Sequence, residues 1–215
     1  MPDVGQNVAR RMLSSFDERV PASFPSFSIR VRRADTVGMT LQTVQTARLV
    51  LVPMTAALVD LEINDPIGFA AQIQADVPPE WPPEQVADSL PWFAEQLNAN
   101  PALVGWLGWY GLWQRTDGNL PLLVGSGGFF GPPTEGAAEI GYAVLPSFQG
   151  QGFATEMIDG LIGWAFSQPD VIAVVAETGQ SNGPSRRILE KLGFIAAGTG
   201  REPDDLRFER TAPTV

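Results

Sequence analysis

Residues 138–178 hold the most restrictive pattern in the chain: an apolar run, an amphipathic stretch, then a second apolar run. Ala154, Met157, Ile158, Leu161, Ile162, Ala165 and Phe166 recur three and four residues apart. That spacing places them on one buried face of a helix of about three or four turns. Before it, "AEIGYAVL" reads as a strand; after it, "VIAVVAET" is a continuous apolar strand expected to be buried on both faces. The centre of the fold is therefore a strand, a helix and a strand. Two glycines, Gly150 and Gly152, stand where the first strand meets the helix.

The flanking sequence extends this centre. "ARLVLVPM" reads as a strand, and Thr55 offers an N-cap to "AALVDLEIND". A second helical region over 83–99 should be kinked or divided by Pro91. The proline-stiffened loop "DVPPEWPPE" lies between them, around Trp81. Residues 103–114 and 121–130 flank "RTDGN", a hairpin signal, with Trp106, Trp109 and Trp113 as sheet-packing residues. Ser181 or Asn182 can cap a last helix that has Pro184 near its first turn and Gly193 beyond its end. "FIAAG" and "LRFER" supply the final strands. This α/β order, of the α+β kind, fits a largely antiparallel sheet with helices on its faces. Residues 1–38, rich in Ser, Pro and Arg, read as a partly irregular N-terminal extension, and 39–215 as the domain.

Composition narrows the chemistry. The chain has no cysteine and no histidine. Disulfides, thiolate nucleophiles, imidazole bases and the usual Cys/His zinc sites are excluded, so carboxylates, hydroxyls, backbone dipoles or a cofactor must do the work. A net charge of −10 argues against nucleic acid as a partner. No run approaches the ~20 apolar residues that cross a bilayer, and no apolar stretch follows Arg10 and Arg11. A cytoplasmic location, without membrane association, is the expectation. Between Arg48 and Arg115 there are eight acids and no basic residue. That stretch is either a solvated acidic surface or a field that attracts a cationic substrate.

The segment 149–154, "QGQGFA", lacks the Gly-Lys-Ser/Thr of a P-loop and the third glycine of a dinucleotide fingerprint. Its place at a helix start is that of an anion site, where glycine lets a phosphate approach without meeting a Cβ. Gln149, Gly152 and Ala154 form Q-x-x-G-x-A, which resembles the pyrophosphate-binding signature of GNAT N-acetyltransferases. "TARLVL", "AEIGYAVLPSFQGQGFATE" and "NGPSRRILEKLGF" are similar to the RimJ/RimL-like branch of that family, over about residues 41–210.

The resemblance implies a mixed, mostly antiparallel sheet of about six or seven strands with helices on both faces. At its centre "AEIGYAVL" and "VIAVVAET" would run parallel and splay apart to admit acetyl-CoA. Backbone groups of Ala143, Val144 and Leu145 would bind the pantetheine arm. Those of Gln149, Gly150, Gln151, Gly152, Phe153 and Ala154 would hold the pyrophosphate. Asn182 and Ser185 match the N-x-x-S start of the family's last helix, although Asn182 reads equally as an N-cap. Many members carry a tyrosine acid four residues after Ser185; here that position is Leu189, and Ser185 becomes the expected donor to the leaving thiolate. Glu139 is the leading candidate for the base that deprotonates a primary amine, with Glu177 second. No metal is implied. The acceptor would be a protein N-terminus or a small amine, cationic if the acidic stretch attracts it. The aromatic-rich hairpin suggests a homodimer. A non-catalytic acyl-CoA sensor with the same fold is the alternative.

Overall fold

The computed structural model describes residues 35–36, 39–40 and 42–213. Apart from Asp35 and Thr36, the expected N-terminal extension lies outside these residues. Asp35–Thr36 (β1) pairs antiparallel with Met39–Thr40 (β2) as a separate ribbon. The main sheet begins at Val44–Gln45 (β3) and Leu49–Pro53 (β4). Four helices follow: Ala56–Asn64 (α1), Pro66–Ile73 (α2), Glu84–Ala87 (α3) and Leu90–Ala99 (α4). Next come Gly108–Trp113 (β5), Leu122–Phe129 (β6), Ala137–Val144 (β7) and the helix Phe153–Phe166 (α5). Ala173–Gly179 (β8), Gly183–Lys191 (α6), Ile195–Thr199 (β9) and Asp205–Thr211 (β10) complete the order.

The eight strands lie in the order β3-β4-β5-β6-β7-β8-β10-β9. Every neighbouring pair is antiparallel except β7 and β8. That parallel pairing is short: only Ala137–Glu139 meets Ala173–Val175. Beyond it β7 continues to Val144 on β6, and β8 continues to Gly179 on β10. The two strands therefore part company just past Glu139. The expected mixed sheet with a splayed parallel centre is present. Its eighth strand is the two-residue β3, too short to leave an alternating pattern.

Strand alternation puts successive side chains on opposite faces. On one face Leu49, Leu51, Trp109, Ile140, Val174 and Ala176 pack against Phe153, Met157 and Leu161 of α5 and Leu189 of α6. On the other, Tyr110, Leu112 and Leu123 pack against Leu58 of α1, Phe69 of α2 and Leu97 of α4. Burying these two apolar layers is the main force holding the helices to the sheet. Trp106, Trp109 and Phe129 close on Trp164 of α5, with ring centroids 4.9, 5.2 and 5.6 Å away. Trp113 lies 5.3 Å from Phe153. Trp106 and Trp109 are buried inside their own core, whereas Trp113 is half-buried.

Local signals account for most element ends. The Thr55 hydroxyl accepts from Leu58 N at 3.2 Å, capping α1, and Pro91 falls in the first turn of α4, dividing the 83–99 region as expected. Helix α2 was not anticipated. Asp65 caps it through a 3.0 Å bond from Gly68 N, and Pro66 supplies the first-turn φ. The strand expected from 103 begins only at Gly108, because a 3₁₀ turn at Pro101–Leu103 and Gly105 at φ +91° intervene.

Candidate active site

The loop joining β7 to α5 passes through a 3₁₀ turn at Pro146–Phe148. It then crosses Gly150 at φ +73° and Gly152 at φ +83°. Any residue with a Cβ is strained there by roughly 1–2 kcal/mol, so the turn itself requires glycine. The space around it points further. A Cβ on Gly150 would meet nothing within 4 Å, and one on Gly152 only Arg48 Nη2 at 3.4 Å. The space on the Cβ side of both glycines is therefore open, apart from the Arg48 guanidinium.

Helix α5 begins at this opening with no side-chain cap, as do α3 and α4, whereas Thr55, Asp65 and Asn182 cap α1, α2 and α6. The early N–H groups of a helix lack intrahelical acceptors and carry the positive end of its dipole. The arrangement thus fits an anion. Gln149 Nε2 donates to Val144 O at 2.9 Å and Gln151 Nε2 to Ser147 O at 3.1 Å, fixing both glutamine side chains against the loop. Arg48 anchors the loop from β4's side. It donates to Glu156 at 2.7 Å and to Gln151 O at 3.1 Å, and its guanidinium lies 4.5 Å from the centre of the Phe153 ring. Burial pushes the Glu156 carboxyl up, but bonds from Thr46 and Arg48 outweigh it and hold the group below its ordinary value. The acid in the first turn is thereby neutralised by a neighbouring cation.

The gap between β7 and β8 is lined by alternate peptide groups. Glu139 O accepts from Phe130 N at 3.0 Å and Leu145 N donates to Val124 O at 3.0 Å, both toward β6. In an antiparallel ladder every second residue shares that direction. Ala143 and Leu145 therefore turn their amides to β6, and Ile140, Tyr142 and Val144 turn theirs to the gap. Of the three residues expected to bind an arm inserted here, Val144 faces it.

Two side-chain groups flank the gap on opposite faces. On the α5/α6 face the Tyr142 hydroxyl lies 2.7 Å from Ser185 Oγ. Asn182 Oδ1 accepts from Ser185 N at 3.2 Å, so Asn182 is an N-cap in this structure. Leu189 is fully buried in the core and takes no part. Burial pushes the Tyr142 hydroxyl above its ordinary value, against a smaller opposite effect of Ser185. On the other face Glu139 and Glu177 are bridged by Arg201. Its guanidinium pairs with Glu139, its Nε lies 3.3 Å from Glu177, and its amide donates to Glu177 at 3.1 Å. Arg207 adds a contact at 3.5 Å to Glu177. Burial raises the Glu139 carboxyl; Arg201 pulls it back, Glu177 pushes it up again, and the net is above its ordinary value.

The proline loop ties the α1 side to the glycine loop. Trp81 Nε1 donates to Glu62 at 2.7 Å, while the Ser147 hydroxyl donates to Glu80 at 2.6 Å. Glu62 is buried and also accepts from the Tyr110 hydroxyl at 2.5 Å. Sequence reading did not single out Arg48, Tyr142 or Arg201. Tyr142 left a signal, as the one hydroxyl in an apolar strand; Arg201 left none, because its partners are 62 and 24 residues away. Among the described residues no group of three or more His, Cys, Asp or Glu could hold a metal ion, and no helix is long and apolar enough to cross a membrane.

Comparison with known proteins gives this geometry relatives. Residues 48–195 match the sequence model of the acetyltransferase (GNAT) domain. The chain is similar to the N-acetyltransferase YjdG of Bacillus subtilis (strain 168), 32% identical over 152 residues, covering 70% of this chain and 88% of the relative. Among solved structures, RimL, a ribosomal L7/L12 α-N-protein acetyltransferase in complex with coenzyme A, superposes with a TM-score of 0.54 at 18% identity, covering 79% of this chain and 98% of its own. Mycobacterium smegmatis RimJ, in complex with CoA-disulfide, gives 0.53 at 21% identity, covering 80% and 88%. At these identities the two structures speak for the fold.

Proposed function

The chain belongs to the GNAT acetyltransferase family, and on that premise we propose that it transfers the acetyl group of acetyl-CoA directly to a primary amine. The observation that carries this is the splayed β7/β8 pair opening onto the uncapped, glycine-lined start of α5. The amides from Gln149 to Ala154 hold the pyrophosphate, and the gap-facing groups of Ile140, Tyr142 and Val144 hold the pantetheine arm. Acetyl-CoA, when bound, supplies an activated thioester. The chain supplies the rest. Glu139, at the point where the strands separate, takes the amine's proton directly or through water; its raised pKa brings its basicity nearer to neutral pH. Ser185, across the gap, donates a hydrogen bond to the departing sulfur. With no cysteine and no histidine, an acyl-enzyme has no activated nucleophile to form on.

For the acceptor we propose a cationic amine. The stretch between Arg48 and Arg115 is acidic, and RimL's own name describes acetylation of an α-amine. One observation favours a second reading, an acyl-CoA sensor: Glu139 is already engaged by Arg201. The test is CoA release with acetyl-CoA and a panel of peptide N-termini, polyamines and aminoglycosides, alongside calorimetry. Turnover of any amine supports the transferase. Binding at one acetyl-CoA per chain with no turnover would leave the sensor. Gly152→Val should abolish binding, and unchanged affinity in that variant would remove both readings.

A further inference from the structure

We propose that Tyr142 is a positioning residue for the leaving group, orienting the Ser185 hydroxyl so that its one hydrogen points into the gap between β7 and β8. The inference rests on the acetyl-CoA reading above and adds a residue to it. A serine hydroxyl has a single hydrogen on a freely rotating bond. Alone, Ser185 could turn that hydrogen toward solvent or a nearby carbonyl. As a donor, Tyr142 narrows this freedom. Its oxygen lies 2.7 Å from Ser185 Oγ, on the face opposite Glu139 and beside the point where the strands have parted. Either oxygen can donate across this contact; when Tyr142 does, the serine's own hydrogen points away from the tyrosine and is free to enter the gap.

The residue that many relatives would use cannot serve, since Leu189 is fully buried. Tyr142 comes from the strand and not from the helix, which is why helix spacing did not disclose it. Burial holds the tyrosine hydroxyl above its ordinary value, so it remains a donor throughout the working pH range. The chemistry balances without consuming it. The ammonium first gives one proton to Glu139 and on to water; the freed amine nitrogen bonds to the acetyl carbon, the C–S bond breaks with its electron pair on sulfur, and the nitrogen's second proton passes to water. Ser185 steadies the thiolate by one hydrogen bond, and the sulfur takes its proton from solvent on release.

The test uses the full chain and free CoA, whose thiolate is read by its ultraviolet absorption. In the wild-type complex the bound thiol should ionise about tenfold more readily than in solution, the effect of one neutral hydrogen bond. Tyr142→Phe should cancel most of that shift, as should Ser185→Ala. The double variant should lose no more than Ser185→Ala alone, because Tyr142 acts through the serine. Ser185→Thr, which keeps a hydroxyl, should retain the shift. Calorimetric CoA affinity should change less than threefold in all four. With an active acceptor, Tyr142→Phe should lower kcat by about tenfold and leave KM for acetyl-CoA nearly unchanged. A thiol that ionises identically in wild type and Tyr142→Phe, or independent losses that multiply in the double variant, would overturn the proposal. Failure of the wild-type chain to bind CoA would instead overturn the acetyl-CoA reading, and this proposal with it.

Discussion

Two carboxyls, the buried Glu62 and the half-buried Glu139, have their pKa values raised by desolvation first of all, yet they differ in what surrounds them. Glu62 has neutral donors, Trp81 and Tyr110; Glu139 has the Arg201 guanidinium. Glu62 therefore belongs to stability. A glutamine there can still accept from Trp81 and can donate to the Tyr110 oxygen, whereas alanine leaves both donors without an acceptor. Glu62→Ala should cost about 1–3 kcal/mol in denaturant unfolding. Glu62→Gln should cost little and should diverge from wild type with pH. A carboxyl raised in the fold contributes its stability fully below the unfolded pKa and loses it as pH climbs through the folded value. Wild type should thus be strongest relative to Glu62→Gln at acid pH and fall behind as pH rises above the ordinary carboxyl range, a trend that melting curves across pH would read. In the proposed mechanism Glu139 acts in turnover. Glu139→Gln should leave acetyl-CoA affinity nearly unchanged and lower neutral-pH turnover by ~10²–10⁴, partly recovered at higher pH where more amine arrives deprotonated. Wild type should show an acidic limb that the variant lacks. Arg201→Gln should move that limb to higher pH, because Arg201 lowers the carboxyl's pKa. Superimposable profiles for wild type and Glu139→Gln would return the base to Glu177 or to solvent.

Among the elements, β7 and α5 were the most legible in sequence, and the reasons are local. The three-and-four spacing from Ala154 to Phe166 became the buried face of α5, and the apolar run after it became a strand at the centre of the sheet. Helix α2 escaped because its eight residues carry no long apolar period, only an Asp-Pro start. The gap between β7 and β8 could not be read from composition at all: it depends on where parallel pairing stops, a property of two strands together. Which peptide groups line it depends on the ladder to β6, again beyond one strand's sequence. That ladder gives a prediction. If an acetyl-CoA arm enters as a pseudo-strand, the amides of Ile140, Tyr142 and Val144 should gain hydrogen-exchange protection on binding, while those of Ala143 and Leu145, already bonded to β6, should change little. Equal gains at all five would contradict the alternation. The glycine loop separates turn geometry from close approach in the same way. Gly150→Ala meets no neighbour within 4 Å but sits at φ +73°, so it should lower stability by about 1–2 kcal/mol.

At the scale of the whole molecule, the question is whether a net charge of −10 acts as a field on the acceptor. Near the gap it is muted. Glu139 and Glu177 face Arg201 and Arg207, two negative groups against two positive ones. In the acidic stretch Glu62 is buried, Asp76 is paired with Arg115, and Asp65 is turned to its helix cap. Of the rest, Glu80 accepts from the Ser147 hydroxyl on the glycine loop. The field of a net charge acts on encounter: it raises the local concentration of a cation and its association rate, and it is screened beyond ~8 Å at physiological ionic strength. Contacts made inside the gap, where charges are close and partly dry, are screened much less. The two effects separate in kinetics. For a cationic amine, kcat/KM should fall steadily as salt rises from about 0.01 to 1 M, over which the screening length shrinks from ~30 to ~3 Å, while kcat stays level. A neutral amine of similar size should show neither trend. If the preferred acceptor proves neutral or anionic, or if kcat/KM for a cation ignores salt, the acidic surface is merely solvated, and acceptor choice then rests on the shape formed by α1, α2, α4 and the Trp81 loop.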